Sequence, residues 1–277
     1  MAKIRPLPSE LQKVAFEELG EVPCKISKHL NTLKVWIARN PQLKIRNDDQ
    51  LLVQFLRGCK YDMEKAKSKL EQFCNLRSKR PDWFMPVDVD DPQFRNFHNT
   101  GTYCSLPTPF PGNGSRIILL QIKFPPTEFG VDEIFRYAAS VSEIMCVNDP
   151  YACINGVTIV QDYAQATAKH FMLLSPGLVR HILSFYSKAI PIRIKALYYI
   201  NLSSYAHRFL NVMRPLLPSK LKDRVFLCGS NLDDLGEHFP RNYFPREYGG
   251  ENGSLAEICA ADHKLWDEYK GYFKENV

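Results

Sequence analysis

From residue 117 onward the chain alternates between short apolar runs and segments with helical spacing, and this alternation limits the folds open to it. Residues 117–122, 157–160, 194–200 and 224–228 read as strands, the second ending at Gln161-Asp162. Residues 132–147, 176–188 and 207–217 between them carry apolar side chains at helical intervals. Strands separated by helix-length segments cannot be joined as tight hairpins. They imply a largely parallel sheet with helical crossovers, an α/β architecture. From about residue 231, short helices and turns lead into an amphipathic tail over 254–274.

The first third has a different character. Ser9 opens one amphipathic segment, and Ile26, Leu30, Leu33 and Ile37 mark a second that stops at Asn40-Pro41. Asn47-Asp48-Asp49 forms a capping cluster ahead of Leu51, Leu52, Phe55 and Leu56. Asp62 caps a further helix through Ala66, Leu70, Phe73 and Leu76, which Pro81 stops. A small all-helical domain is expected over 1–85, with the α/β domain over 86–277. Residues 83–115, punctuated by Pro86, Pro92, Pro107, Pro109, Pro111, Gly112 and Gly114, read as connection and turn. No internal repeat is visible.

The N-terminal stretch lacks the apolar core of a secretory signal, and no run of apolar residues is long enough to span a bilayer. The eight cysteines form no C-x-x-C pair and no zinc-ligand spacing with a histidine, so reduced, mostly buried thiols in a cytoplasmic protein are expected. P-loop, dinucleotide, zinc-protease and nucleophile-elbow motifs are absent. Asp88, Asp90 and Asp91 lack the glycine and distant glutamate of an EF-hand. No enzyme chemistry, metal or cofactor is therefore expected.

The net charge of +6 is uninformative until it is located. Residues 163–222 contain no Asp or Glu but include Lys169, Arg180, Lys188, Arg193, Lys195, Arg208, Arg214, Lys220 and Lys222. The remainder of the chain is slightly acidic, so one stretch is suited to an anionic partner. The stacking aromatics and recognition helices of nucleic-acid readers are not evident.

Two helices stand out. Residues 207–217 carry Phe209, Leu210, Val212, Met213, Leu216 and Leu217 on one face, opposite His207, Arg208, Asn211 and Arg214. Such a helix can lie on an anionic membrane or pack on the sheet with a solvated basic face. In 132–147, Asp132, Arg136 and Glu143 form one narrow polar stripe and nearly everything else is small or apolar. Ala138, Ala139 and Ser142 there either permit close helix packing or leave volume for a ligand.

Several segments, in order, resemble the CRAL-TRIO lipid-transfer family, most closely its α-tocopherol transfer protein-like branch. They are LLVQFLRGCKYDMEKA (51–66), INGVTIVQDYA (154–164), IPIRIKALYYIN (190–201), RPLLPSKLKDRVFLCG (214–229) and FPREYGGENGS (244–254). The resemblance implies a soluble carrier that holds one hydrophobic lipid, such as a tocopherol, retinoid or carotenoid, between a sheet floor and a mobile lid helix at roughly 203–222. It implies pocket positions at Phe135, Ala138, Ser142, Val157, Gln161, Ile182, Phe185, Tyr186, Ile190, Ile192 and Leu197, and lid positions at Phe209, Leu210, Val212, Met213, Leu216 and Leu217. It places phosphoinositide contacts on Arg193, Lys195, Lys220 and Arg224, with one further basic position falling on Cys59, beside Lys60. The implied protein is a cytoplasmic monomer, transiently membrane-associated, with no nucleic-acid partner. A phosphatidylinositol/phosphatidylcholine exchanger of the same fold and a lipid-acting enzyme are the other readings.

Overall fold

The computed structural model describes residues 2–84, 87–229, 235 and 239–274; the expected domain boundary between 85 and 86 lies outside them, as does part of the segment expected to form short helices after 231. Four helices open the chain: α1 (Ser9–Leu19), α2 (Pro23–Ala38), α3 (Asp49–Gly58) and α4 (Met63–Lys79). Asp48 and Asp62 cap α3 and α4, accepting from the amides of Leu51 and Lys65. Pro81 ends α4 and starts the short α5 (Pro81–Phe84).

The proline-rich connection is more structured than its composition suggests. It contains α6 (Pro92–Asn99) and the strand β1 (Tyr103–Ser105). Asp91 supplies the cap at 2.8 Å to the amide of Gln93, and Pro92 sits in the first turn, where no amide hydrogen is required. After β2 (Arg116–Gln121) come α7 (Val131–Asn148) and α8 (Pro150–Asn155), the latter capped by Asp149 in the same Asp-Pro manner. The rest is β3 (Val157–Asp162), α9 (Ala168–Met172), α10 (Pro176–Ser184), β4 (Ile194–Ile200), α11 (Ser204–Met213), α12 (Ser219–Lys222), β5 (Val225–Leu227), α13 (Leu255–Glu268) and α14 (Lys270–Lys274).

Two expected helices change shape at their ends. The segment 176–188 leaves the α-helix at Ser184 and continues as one wide π-turn, Phe185–Ala189. The segment 207–217 begins earlier, at Ser204, because Ser203 caps it, and gives way to a tight 3-10 turn, Arg214–Leu216, around Pro215.

The sheet runs β1-β2-β3-β4-β5, with β1 antiparallel and every other pairing parallel. One face is dry: Ile117, Leu119, Val160, Tyr198 and Ile200 pack with Cys104, Leu106, Phe239, Phe244, Tyr248 and Ile258. The other face turns Ile118, Leu120, Val157 and Ile159 towards α7 and α8. Between β3 and β4 the register shifts after Val157, so Ile194 and Ala196 face Val157 and Thr158 and Lys195 is the inserted residue.

The polar stripe of α7 is engaged in ion pairs and hydrogen bonds along its length. The Asp132 carboxylate accepts from Trp83 Nε1 and Arg80 Nη2, both at 2.6 Å. Arg136 Nε donates to the Asp82 carbonyl at 2.9 Å. Glu143 takes Arg77 at 3.0 Å and the Tyr272 hydroxyl at 2.9 Å. The stripe is thus where α4, α5 and the C-terminal helix dock, and one hydrophobic cluster runs from the N-terminal helices through α7 to Trp266 and Phe273. α7 is held from outside, and its inner side is left to face the sheet.

Candidate functional site

Between α7 and the sheet lies an apolar cavity of about 360 Å³, within the usual range for small-molecule pockets. Its floor is Ile118 and Leu120 of β2, Val157, Ile159 and Gln161 of β3, and Leu197 and Tyr199 of β4. Ile134, Phe135, Ala138, Val141, Ser142 and Met145 of α7 form one wall; Ile182, Leu183, Tyr186, Ile190 and Ile192 form another. Leu173, Leu174, Leu217 and Leu221 border it on the side of α9 and α11. The π-turn belongs to this wall, and wide turns of this kind are frequent at functional sites.

Ten of the eleven expected pocket residues line the cavity: Phe135, Ala138, Ser142, Val157, Gln161, Ile182, Tyr186, Ile190, Ile192 and Leu197. Phe185 does not. Its ring lies behind the wall, 5.5 Å from both Phe84 and Phe135, and is buried there. Of the expected lid residues only Leu217 lines the cavity. Phe209 packs on Phe171 of α9 at 5.0 Å. Leu210, Met213 and Leu216 are half-buried, and Val212 is 67% exposed. Sequence reasoning did not single out Tyr103, Leu120, Tyr199, His170 or Leu221. Strand alternation would have found Leu120 and Tyr199, because each lies two or four residues from a lining position.

The few polar groups in the wall are mostly engaged. Ser142 donates to the Ala138 carbonyl at 2.8 Å. The Tyr186 phenol sits beside the Ser142 and Tyr103 hydroxyls. Asp162 accepts from the Tyr248 hydroxyl at 2.5 Å and Asn201 at 2.8 Å. His170 uses both ring nitrogens, one with the Phe124 carbonyl at 2.8 Å and one with Thr167 at 3.0 Å.

A second feature lies where β4 begins. The Arg193 guanidinium donates from Nη2 to the Ile154 carbonyl, while its buried Nε has no hydrogen-bond partner among the described residues. Burial pulls Arg193 below its ordinary range, Glu18 partly offsets this and Arg224 adds to it. Lys195 is also lowered, first by burial and then by Arg193, with Arg224 and Lys60 contributing. Arg193 and Lys195 therefore lie in one cationic field, to which Arg224 contributes at both and Lys60 at Lys195. Arg224 is fixed by donation to the Ile194 carbonyl, and Lys220 is exposed. Two glycines allow the crowding. A Cβ on Gly58 would meet the Pro191 carbonyl, and one on Gly156 would meet that of Arg193. Lys60 itself sits in a left-handed turn with Tyr61, at φ 53° and 58°.

All eight cysteines are free thiols. Among the described residues no helix is long and apolar enough to cross a membrane, and no group of His, Cys, Asp or Glu is placed to hold a metal ion. A broader depression of about 430 Å³, including Lys3, Arg5, Asp48 and Tyr269 in its lining, shares no residue with the apolar cavity and is open.

Comparison with known proteins gives consistent results. A family model described as CRAL/TRIO domain matches residues 112–250, and one described as Pinta-like, UBA domain matches residues 22–94. The chain is 26% identical over 250 residues to the mouse (Mus musculus) alpha-tocopherol transfer protein-like, covering 90% of this chain and 72% of the relative. It is 26% identical over 252 residues to Clavesin-2 of Rattus norvegicus, covering 88% and 74%. The crystal structure of Sfh5 superimposes with a TM-score of 0.52 at 13% identity, over 98% of this chain and 100% of that one.

Proposed function

The chain belongs to the CRAL/TRIO family, and from that premise we propose that it is a lipid carrier rather than an enzyme. It takes one hydrophobic lipid of tocopherol, retinoid or carotenoid type into the cavity and exchanges it at phosphoinositide-bearing membranes. The observation that supports this most is the adjacency of an apolar cavity and a crowded cationic cluster on one sheet, since Ile192, Ile194 and Leu197 line the cavity and Arg193 and Lys195 alternate with them. A lipid so bound cannot escape into water cheaply, at ~25 cal/mol per Å² of apolar surface, so exchange needs contact with a bilayer.

The segment 203–222 acts as the lid. Phe209, Leu210, Met213, Leu216 and Leu217 give it an apolar side towards the body, and Leu217 reaches the cavity. Its outer side is not purely polar. Tyr205 is 58% exposed, and Met172 on the adjoining α9 is 80% exposed. These side chains dip into the bilayer while Arg193, Lys195, Lys220 and Arg224 meet phosphorylated headgroups. The carrier works as a cytoplasmic monomer that attaches reversibly.

Flotation with vesicles containing a few per cent phosphoinositide tests this reading. Arg193→Ala/Lys195→Ala should weaken attachment by about thirtyfold, from ~1 kcal/mol per cation at an anionic surface, and leave lipid loading unchanged. Lys220→Ala, at an exposed site, should weaken it by about fivefold. Unaltered attachment of both variants at low salt would refute the role of the cluster. Separately, Met172→Ser/Tyr205→Ser should slow vesicle-to-vesicle transfer more than it reduces equilibrium loading. Transfer at the unmodified rate would put the membrane-facing surface elsewhere.

A further inference from the structure

We infer that the cavity selects a neutral lipid whose polar group is a hydroxyl, anchored between Gln161 and Tyr199. The inference rests on the carrier reading above and narrows its ligand.

The floor of the cavity is a sheet face on which alternation calls for apolar side chains. Val157 and Ile159 obey it, and Gln161, the next residue on that face, does not. Its neighbours in register are Leu120 on one side and Tyr199 on the other. The Gln161 Oε1 accepts from the Tyr163 hydroxyl at 2.7 Å, which fixes the amide and leaves its NH₂ end free. That NH₂ makes no hydrogen bond among the described residues. Neither does the Tyr199 hydroxyl, although burial is deep enough to push the phenol up to about 12. Both side chains line the cavity. A half-buried amide and the phenol of a buried tyrosine, both lining the cavity without a hydrogen-bond partner among the described residues, gain from a ligand that satisfies them.

The two groups together suit a hydroxyl as the ligand's polar atom. A hydroxyl can accept from the Gln161 NH₂ and donate to the Tyr199 oxygen at once. It would also suit the opposite orientation of the amide, in which the carbonyl end is free and accepts. A carboxylate or phosphate could only accept, and it would bring a charge. Among the described lining residues there is no Lys or Arg to pair with it. The ionisable groups present, Asp162 and His170, are already saturated by Tyr248, Asn201, Phe124 and Thr167. Asp162 would moreover repel an anion. The cations stand at the start of β4, at Arg193 and Lys195, while Gln161 and Tyr199 stand towards the strands' C-terminal ends. Phosphate recognition and cargo recognition are therefore separated along the sheet.

The test is a competition. Protein is incubated with vesicles carrying equal amounts of oleyl alcohol, oleic acid and octadecene, re-isolated, extracted and analysed by mass spectrometry. The alcohol should be enriched over the hydrocarbon by roughly tenfold, the worth of one or two net hydrogen bonds, and the acid should be excluded. Gln161→Leu should bring the alcohol-to-hydrocarbon ratio near unity while raising or preserving hydrocarbon uptake. Tyr199→Phe, which keeps the ring and its packing on Tyr163, should lower the ratio in part. Uptake of the acid on a par with the alcohol, or a ratio unchanged in both variants, overturns the inference while leaving a carrier. Uptake of none of the probes overturns the carrier reading and the inference with it.

Discussion

Glu21→Ala should lower the free energy of unfolding by about 3–5 kcal/mol, the usual consequence of leaving one member of a buried ion pair alone. Glu21 and Arg57 are 0% and 2% exposed, and two guanidinium hydrogen bonds join them, at 2.6 and 3.0 Å. The Tyr61 hydroxyl donates to the same carboxylate at 2.8 Å. Burial alone would push the Glu21 carboxyl up, but Arg57 and Tyr61 outweigh it and hold the carboxyl below its usual range. A lowered carboxyl contributes stability that is full above its unfolded value, about 4.3, and is lost as pH falls through the folded one. Acid should therefore remove part of what the mutation removes. Replacing both partners at neutral pH, as Glu21→Leu/Arg57→Met, should recover most of the loss, because no charge is then stranded. Urea unfolding of the three proteins decides it; a loss below about 1 kcal/mol in Glu21→Ala would mean that water solvates the pair. The pair also pins the Lys60-Tyr61 turn, so attachment to anionic vesicles should weaken in the folded fraction of Glu21→Ala.

How much of this was legible beforehand depends on the kind of signal. The strand-helix alternation read correctly because buried parallel strands leave apolar runs, and the Asp48 and Asp62 caps read correctly because capping is local. α6 and α8 were missed although each announces itself with Asp-Pro, Asp91-Pro92 and Asp149-Pro150, a cap followed by a residue preorganised for the first helical turn. Both are short, and α6 is hidden in a stretch whose prolines read as turn. β1, three residues long, carries no period at all. At the site, the positions carried over by resemblance reached the cavity wherever they lay on β3, β4 or α7, whose sides are fixed by alternation or helical phase. Phe185 fell outside because the lining residues Ile182, Leu183, Tyr186 and Ile190 share one helical face, and Phe185 lies off it, against Phe84 and Phe135. The polar stripe of α7 was visible, but its partners Arg77, Arg80, Trp83 and Tyr272 come from both ends of the chain, and local spacing holds no record of them.

Ala138→Trp should abolish most lipid loading while leaving the protein folded. Ala138 lies on the inner side of α7 and lines the cavity, so an indole there has space to enter. The helix cannot retreat instead, because Asp132, Arg136 and Glu143 tie its outer side to α4, α5 and the C-terminal helix. Displacing about 100 Å² of lipid contact removes about 2.5 kcal/mol of binding, some sixtyfold. Ala139 supplies the contrast. It is the adjacent residue but belongs to the core shared with the N-terminal helices and does not line the cavity. Ala139→Trp should cost about 1–3 kcal/mol or more of stability through overpacking. Loading measured by extraction and stability measured by thermal melting separate the two. If Ala138→Trp melts as low as Ala139→Trp, the space beside α7 is not available to a side chain and hence not to a lipid. If it melts normally and loads fully, the lipid sits elsewhere on the sheet. Normal melting with lost loading is the outcome that a ligand cavity between α7 and the sheet requires.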